Sequence, residues 1–351
     1  MKKTWLFIVA LVFSMVLTAC GGSQESSEGA TKGKKKTLVV YTNSASDGRG
    51  DWLKEKAVER GFEIEFVEAG GGEIRNKLIA EKANPIADVV YGLNEMNYIA
   101  LKNEDVLEPF TPVWAEEVEE GTSDPEGYYH SLVKQAILLI YNSELYTEET
   151  AASDWSELWQ NKAFHGLYEV PTNLGGDTTR TVIAGILVRH QDPNGELGIS
   201  EEGWEEIKEF FDNGSPASEG TPFYANLANG TTPFGQMFSS GVQQREEEYG
   251  VKAGIVSPEI GVPYVTEQVA IVKGTEKKEV AEEFINWFGS SEVQAEWAKE
   301  FNSMPTNIEA AKSANPEVKA LHESVKKQDI EWDFITENID AWIEKITLEI
   351  Q

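Results

Sequence analysis

The chain has a single cysteine, Cys20, and only four histidines among its 351 residues. One thiol cannot close an intramolecular disulfide, so stability has to come from a packed core. The sequence also lacks the G-x-S-x-G motif of serine hydrolases and the H-E-x-x-H motif of zinc peptidases. Carboxylates are numerous, so a glycosidase pair stays open as the minor alternative. We expect a protein that is not an enzyme and that has no cofactor and no structural metal.

Positive charge is scarce. The chain has 30 Lys and Arg residues against 60 Asp and Glu residues, which gives a formal net charge of −30. Such a surface repels nucleic acid and anionic lipid, so we expect neither as a partner. The acidic residues are spread over many predicted helices, which is typical of a solubility feature rather than of a site. An anionic solute would have to be held by local dipoles and a few cations.

The N-terminal apolar run, Trp5–Leu17, is too short for a comfortable membrane span and follows Lys2 and Lys3. This pattern is typical of a signal peptide. Small residues then lead to the cysteine in Leu17-Thr18-Ala19-Cys20, which resembles a bacterial lipoprotein lipobox. It implies cleavage before Cys20 and attachment of lipid, including palmitate, to the chain. The alternative is a plain signal peptide with an incidental cysteine. We expect an extracytoplasmic protein, anchored to the cell membrane by this lipid.

Residues 21–36 are rich in Gly, Ser and Lys and have no periodic apolar positions, so they predict a flexible tether. The remaining ~315 residues exceed what one core usually holds, so two domains are expected. Strand and helix patterns alternate from residue 37 to residue 91, which indicates a parallel sheet covered by helices. Ligands bind beyond the carboxyl ends of such strands. Those ends are Tyr41–Ser46, Ala69–Glu73 and Gly92–Asn94.

Two glycine-flanked helix starts stand about a hundred residues apart. One is Gly175-Gly176 before Asp177, and the other is Gly70-Gly71-Gly72 before Glu73. A helix start collects free N–H groups and the positive end of the helix dipole, which favours an anion. The pair therefore predicts two half-sites that close on one ligand, although both stretches would also serve as ordinary strand-to-helix turns. Arg180, one turn into the second helix, could contact the anion or pair with a surface carboxylate.

Several long segments complete the pattern. Tyr128–Tyr141 predicts two strand-like runs, and the second, strongly apolar run is expected to carry the chain from one lobe to the other. Tyr264–Val272 is a predicted strand that returns the chain to the first lobe, with Glu267 near its start. Lys278–Phe301 is predicted as one long helix. The Gly- and Thr-rich stretch Phe223–Val242, with Thr232, is predicted either to line a site or to form a turn.

These residues resemble those of a known family, and the resemblance covers nearly the whole chain after the tether. The chain is similar to extracellular solute-binding proteins of ABC transporters, in the group that contains ferric-iron, phosphonate, thiamine and sugar-phosphate binders. The residues that carry the resemblance are Leu38–Tyr41, Gly72-Glu73, Glu81–Val90, Ile140–Asn142, Ser153–Leu158, Val269–Gly274, Ala281, Phe284, Ile285 and Gln294.

The resemblance implies an α/β fold of the type II periplasmic-binding-protein class, with two lobes, two crossing strands and hinge closure on a small molecule. Residues 37–137 and 263–351 are expected to form the first lobe, and residues 138–262 the second. A monomeric receptor would deliver its ligand to a membrane permease. A lipid-anchored binder of this kind fits a Gram-positive source.

The ligand stays open between three classes. The helix starts favour a phosphonate or a sugar phosphate, because backbone N–H groups and hydroxyls suit a tetrahedral oxyanion. In the ferric branch of the family adjacent tyrosines of the second lobe bind iron, but the only such pair, Tyr128-Tyr129, precedes the first crossing strand. A polyamine or thiamine would need an acidic, aromatic site. The candidate binding residues are Asn43, Ser44, Gly71, Gly72, Glu73, Asn94, Gly176, Asp177, Thr178, Thr179, Arg180, Thr232 and Glu267.

Overall fold

A computed structural model describes residues 36–218 and 220–351. The predicted signal peptide, Cys20 and the tether up to residue 35 lie outside the described residues, and Lys36 already belongs to the first strand. None of the helices in the described part of the chain is long and apolar enough to cross a membrane.

Within the described ranges the chain forms short strands separated by helices. The strands are β1 Lys36–Thr42, β2 Phe62–Glu68, β3 Val89–Tyr91, β4 Leu107–Glu108, β5 His130–Asn142, β6 Glu169–Val170, β7 Gln191–Glu196, β8 Ser215–Pro216, β9 Phe234–Phe238, β10 Ala253–Val256, β11 Tyr264–Val272 and β12 Met304–Pro305.

The α-helices are α1 Arg49–Glu59, α2 Gly71–Glu81, α3 Glu95–Asn103, α4 Glu157–Gln160, α5 Asp177–Leu187, α6 Glu201–Asn213, α7 Phe223–Asn229, α8 Val242–Tyr249, α9 Lys278–Phe288, α10 Ser291–Glu300, α11 Ile308–Ala311, α12 Pro316–Ser324 and α13 Trp332–Glu349.

The first half of the sheet is parallel, as the βαβαβ pattern predicts. β1 lies between β2 and β3, and Val40 pairs with Phe66 on one side and Val89 on the other. β11 runs antiparallel beside β3 and joins this half to β5. The order along the sheet is β10-β5-β11-β3-β1-β2. The loops that follow β1, β2 and β3 therefore emerge at one edge.

The 13-residue strand β5 carries the chain from one lobe to the other. Its first part, His130–Ala136, pairs with β11, and its second part, Ile137–Asn142, pairs with β9 and β10. The strand is buried over nearly its whole length, which explains the continuous apolar run. β11 is the second crossing strand. The fold is a two-lobed α/β fold of the type II class, and this prediction is confirmed.

Separate apolar clusters fill the two lobes. The first lobe packs residues of β1, β2, β3 and β11 against α1, α9 and α10, with Phe284 and Trp297 among the largest side chains. The second cluster packs β5 against α5 and α6, and it also receives Ile335, Ile339 and Trp342 from α13. Since α13 contacts both α3 and α5, the C-terminal helix packs on both halves of the protein. The boundaries of the lobes remain a prediction.

The single long helix predicted over Lys278–Phe301 is wrong, because the segment forms two helices, α9 and α10. The break falls at Gly289-Ser290. The Trp114 indole packs so close to Gly289 that a Cβ there would overlap its ring, and Trp114 Nε1 donates a hydrogen bond of 3.1 Å to the Ile285 carbonyl. Ser290 then starts α10 by accepting a hydrogen bond from Val293 N–H.

Candidate functional site

A cavity of about 150 Å³ lies where the loops of the first lobe meet the second lobe. The first lobe contributes the loops after β1 and β3 and the start of α1. The second lobe contributes the start of α5 and the turn after β9, and β5 and β11 pass along the cavity. The lining residues are Asn43, Ser44, Ser46, Arg49, Gly92, Asn94, Gln135, Ile137, Asp177, Thr178, Thr181, Phe238, Ser240, Val265 and Glu267.

The loop after β1 is held in place by its neighbours. Thr42 Oγ1 accepts a hydrogen bond of 2.9 Å from Ser44 N–H, which bends the chain as β1 ends. Gly92, directly after β3, has a φ of 94° and lies so near this loop that a Cβ would come within 2.9 Å of Asn43 Oδ1. Only glycine fits both constraints. The close approach brings Asn43 and Ser44 to the cavity.

Glu267 provides a carboxylate at the base of the cavity. A register shift in β11 lies between Glu267 and Gln268. The two carboxylate oxygens accept hydrogen bonds of 2.8 Å from Ser44 Oγ and from Gln135 Nε2. Among the described residues no Lys, Arg or His forms an ion pair with Glu267. The carboxylate can therefore also accept hydrogen bonds from an ammonium or hydroxyl group of a solute.

Gln135 links the crossing strand β5 to the second lobe. Its Nε2 lies 2.9 Å from Ser240 Oγ, and its Oε1 accepts hydrogen bonds from Ser239 Oγ at 3.0 Å and Ser240 N–H at 3.1 Å. This network fixes the 3₁₀ turn Ser239–Gly241 against β5. The Ser240 hydroxyl is thereby placed at the wall of the cavity.

Arg49 provides a buried cation next to Ser240. α1 begins at this residue, after Gly48 with a φ of 83°, and only 5 % of Arg49 is exposed. The guanidinium donates hydrogen bonds to Ser240 Oγ at 3.2 Å and to Asp47 Oδ2 at 3.4 Å, and it lies over the Phe301 ring. Asp47 also binds Arg245, at 2.9 Å. Because the guanidinium has more N–H groups than these two hydrogen bonds use, Arg49 keeps donors for an anion in the cavity.

The Asp177 carboxylate closes one end of the cavity. It comes from the first residue of α5, and its oxygens accept hydrogen bonds from Asn43 Nδ2 at 2.7 Å and Asn97 Nδ2 at 3.0 Å. Asn94 caps α3 and orients Asn97, whose Nδ2 also donates to Asn94 Oδ1 at 3.0 Å. Burial raises the pKa of Asp177 to about 6, although the two amides and nearby arginines act in the opposite direction.

Arg180 does not line the cavity. Its Nη2 donates a hydrogen bond of 2.7 Å to Asp340 Oδ1, and Arg75 Nη2 donates one of 3.0 Å to Asp340 Oδ2. Burial opposes ionisation of Asp340, but the two guanidinium groups hold its pKa below the ordinary value. Of the two roles open to Arg180, the structure shows the pairing with a carboxylate. A contact of Arg180 with solute stays a prediction.

The structure brings some of the predicted binding residues together and leaves others apart. Asn43, Ser44, Asn94, Asp177, Thr178 and Glu267 line the cavity. Gly71 lies against the Asp177 carboxylate, and Gly72 lies near the Gly175 carbonyl group. Glu73 is exposed, Gly176 caps α5, Thr179 lines a neighbouring cavity, and Thr232 is buried. The cavity residues that sequence reasoning missed include Arg49, Gln135, Thr181 and Ser240.

The tyrosine pair considered for iron lies elsewhere. Tyr129 packs on Tyr98 at a ring distance of 5.4 Å, and the Lys102 ammonium lies 5.1 Å from the Tyr128 ring. Neither tyrosine lines the cavity. Over residues 36–218 and 220–351 we find no group of three or more His, Cys, Asp or Glu side chains placed to hold a metal ion.

Comparison with known proteins identifies the class. Residues 53–324 match the family of bacterial extracellular solute-binding proteins, so the chain belongs to this family and the resemblance seen in the sequence is confirmed. A relative in Sinorhizobium fredii, named as an ABC transporter periplasmic-binding protein, is 33% identical over 315 residues, which cover 90% of this chain and 87% of the relative. A Salmonella typhimurium periplasmic protein, named for binding of 2-aminoethylphosphonate, is 23% identical over 88% of this chain and 90% of its own length.

Solved structures support the same fold. The periplasmic binding protein P5PA superposes with a TM-score of 0.74 at 24% identity, over 90% of this chain and 100% of that protein. Iron-bound HitA from Pseudomonas aeruginosa gives a TM-score of 0.76 at 16% identity, over 89% of this chain and all of HitA. AfuA from Actinobacillus pleuropneumoniae, with fructose 6-phosphate bound, gives 0.73 at 21% identity, over 90% of this chain and 100% of AfuA.

Proposed function

We propose that this chain, as the substrate-binding component of an ABC importer, captures a small polar solute with a phosphonate or phosphate group and delivers it to a membrane permease. The observation that carries the proposal is the buried Arg49 guanidinium at the wall of the cavity, beside the hydroxyls of Ser46 and Ser240. Guanidinium and hydroxyl donors match the three oxygens of such a group. The protein acts as a monomer and performs no catalysis.

The carboxylates of the cavity define the other end of the solute. Glu267 and Asp177 face the same space as Arg49. A solute that carries an ammonium or several hydroxyl groups as well as an anion would use both ends, whereas inorganic phosphate would leave the carboxylates unused. Aminoalkylphosphonates and phosphorylated sugars have this character. The names of the Salmonella relative and of the AfuA complex support these two classes.

A calorimetric titration of the purified protein tests this assignment. The panel contains 2-aminoethylphosphonate, fructose 6-phosphate, inorganic phosphate, spermidine and thiamine. We expect one of the first two to bind at a single site, more tightly than inorganic phosphate. If neither binds while a cationic compound does, the assignment is wrong. The protein is also incubated with a panel of ester, peptide and glycoside substrates. We expect no turnover of any of them, because a receptor does not catalyse a reaction.

A cationic solute is the second candidate. It is supported by the two carboxylates in the cavity and by Phe238, whose ring also lines it. Spermidine and thiamine in the same titration distinguish this candidate from the first. Ferric iron, the other alternative, has no cluster of ligating carboxylates and imidazoles in its favour among the described residues.

Lipid anchoring is a separate proposal. The Leu17-Thr18-Ala19-Cys20 sequence supports cleavage before Cys20 and lipid attachment in a Gram-positive cell. Cells that express the protein and are fed a clickable palmitate analogue should label the wild type, and Cys20→Ser should lose the label and release the protein into the medium. Equal labelling of both would contradict the proposal.

A further inference from the structure

A second cavity, of about 130 Å³, lies in the second lobe beside the first. Thr178 lines both cavities, so the two are adjacent. The other lining residues come from β6 and the turn after it, from α5, from α7 and from β9, and they are Glu169, Pro171, Thr179, Val182, Phe223 and Gln236. A solute that binds in the first cavity therefore has further space next to it.

Glu169 gives the second cavity a carboxyl group that has few donors around it. It belongs to β6, and Asn226 Nδ2 donates a hydrogen bond of 3.3 Å to it. Asn226 is buried, so it holds the carboxyl group in place. No Lys, Arg or His in the described part of the chain forms an ion pair with Glu169, and burial raises the pKa of its carboxyl group. Hydroxyl groups of a solute would replace the donors that water supplies to an exposed carboxylate.

Gln236 and Phe223 provide an amide and an aromatic ring in the same cavity. The Gln236 Nε2 atom is buried and has no hydrogen-bond partner among the described residues. A buried amide without a partner is unfavourable, and a hydrogen bond to a solute would remove that cost. The Phe223 ring packs on the backbone of Gly235, where a Cβ would come within 2.4 Å of the ring. The ring therefore has a fixed position and makes part of the cavity surface apolar.

We propose that the second cavity is a sugar subsite, which takes the hydroxyl-bearing part of a solute whose phosphate group binds at Arg49. The inference rests on the proposed function for the phosphate end, and it favours phosphorylated sugars over aminoalkylphosphonates. A sugar carries several hydroxyl groups, each a donor and an acceptor, and an apolar C–H face. Glu169 accepts from hydroxyls, Gln236 and Thr179 both donate and accept, and the Phe223 ring suits the apolar face. An aminoethyl group would leave the Gln236 amide without an acceptor.

Saturation-transfer NMR with unphosphorylated D-fructose and D-glucose tests the subsite, since these sugars carry no anion for Arg49. We expect transfer to the protons of at least one of them with the wild type. The signal should fall by more than half in Glu169→Gln, which removes the carboxylate, and in Gln236→Met, which removes the amide. Glu205→Gln, on an exposed side chain of the same lobe, is the matched control. Circular dichroism establishes that each variant is folded, and either of the two cavity variants alone decides the result.

The outcomes separate the two proposals. A sugar signal that falls in Glu169→Gln or Gln236→Met and persists in Arg49→Gln supports the subsite, whether or not any phosphorylated compound binds. No signal with the wild type, an equal signal with the wild type and the folded cavity variants, or an equal loss in Arg49→Gln would overturn it. Failure of every phosphonate and sugar phosphate to bind the wild type bears only on the proposed function.

Titration calorimetry tests whether one solute uses both cavities. The affinity for fructose 6-phosphate relative to that for inorganic phosphate should fall at least fivefold in Glu169→Gln and in Gln236→Met, because only the sugar phosphate reaches the second cavity. A ratio that stays at the wild-type value while the signal of the free sugar is lost would overturn the link between the subsite and Arg49.

Discussion

At the scale of single residues the cavity combines one buried cation with two carboxylates. Arg49, Glu267 and Asp177 come from three different elements, and each has hydrogen-bonding partners from another part of the chain. Arg49 and Ser240 are 191 residues apart in sequence. The site is thus a product of tertiary structure, and its electrostatic character depends on a few side chains in an otherwise acidic protein.

The first prediction concerns Arg49. Arg49→Gln should weaken binding of the phosphonate or sugar phosphate about 10- to 100-fold, because a hydrogen bond to a charged group contributes about 1.5–3 kcal/mol. Titration calorimetry measures the change. Arg60→Gln is the matched control, since Arg60 is 55% exposed and its nearest carboxylate, on Glu292, lies 3.8 Å away. Equal affinities of the two variants would remove Arg49 from the site.

The second prediction concerns the pH dependence of stability through Asp177. Burial raises its pKa from 3.8 to about 6, so between these values the folded protein binds more protons than the unfolded chain. The contribution of Asp177 to the free energy of unfolding is therefore fully present below about pH 4 and is lost as the pH rises through 6. Arg75, Arg180, Asn43 and Asn97 act in the opposite direction and limit the effect.

Urea unfolding of wild type and Asp177→Asn between pH 4 and pH 8 measures this contribution. The stability of the wild type relative to the variant should fall as the pH rises from 4 to 6 and should then level off. The comparison of wild type with the variant is needed because burial also raises the pKa values of Glu95 and Glu169, which contribute to the pH dependence of both proteins. A difference that rises with pH would mean that the folded state lowers the pKa of Asp177.

At the scale of secondary-structure elements, the strongly patterned segments could be predicted from the sequence. β1, β2 and β11 alternate or form short apolar runs, and α5 begins at Asp177 as its entry residues indicate. The crossing strand β5 was also predictable, because a strand buried on both faces has a continuous apolar sequence. These elements account for the fold and for the edge at which the cavity lies.

Other elements and half of the cavity could not be predicted. Arg49 follows a turn with no distinctive motif, and its role depends on Ser240, which belongs to a Gly- and Ser-rich stretch with weak periodicity. α7 and β9 lie in the same stretch, whose sequence fits a site and a turn equally well. The break between α9 and α10 depends on Trp114, which is distant in sequence. Local patterns carry no information about such contacts.

The third prediction tests the cause of that break. Gly289→Ala should destabilise the protein by about 1–3 kcal/mol, because the new methyl group overlaps the Trp114 ring and the core must shift. Chemical denaturation measures the cost in the wild type and again in a Trp114→Ala background. In the second background the methyl group has room, so its cost should largely disappear. A cost that is the same in both backgrounds would attribute the break to another contact.

At the scale of the whole molecule the proposed function places one solute between two lobes. Arg49 and Glu267 come from the α1 and β11 side of the cavity, and Thr178 and Ser240 face them from the other. α13 packs on both α3 and α5. A relative motion of the lobes would therefore change the contacts of this helix. Asp340 of α13 binds Arg75 of α2 and Arg180 of α5, which adds a further polar connection between the lobes.

The fourth prediction is closure of the lobes on the solute. A solute that contacts both sides of the cavity binds the closed form better, and so it shifts the population towards that form. Small-angle X-ray scattering should show a smaller radius of gyration with the bound solute than without it. Arg49→Gln at the same solute concentration should show a smaller decrease. Scattering profiles that superimpose for the wild type would argue against closure.

Binding of a phosphonate or phosphate group at Arg49 between the lobes can be observed by ³¹P NMR. The phosphorus signal of the solute that binds in the calorimetric panel is recorded with wild type, with Arg49→Gln and with Arg60→Gln. We predict that wild type and Arg60→Gln shift or broaden the signal and that Arg49→Gln leaves it close to that of the free solute. An equal change with all three proteins, or no change with the wild type, would contradict the claim.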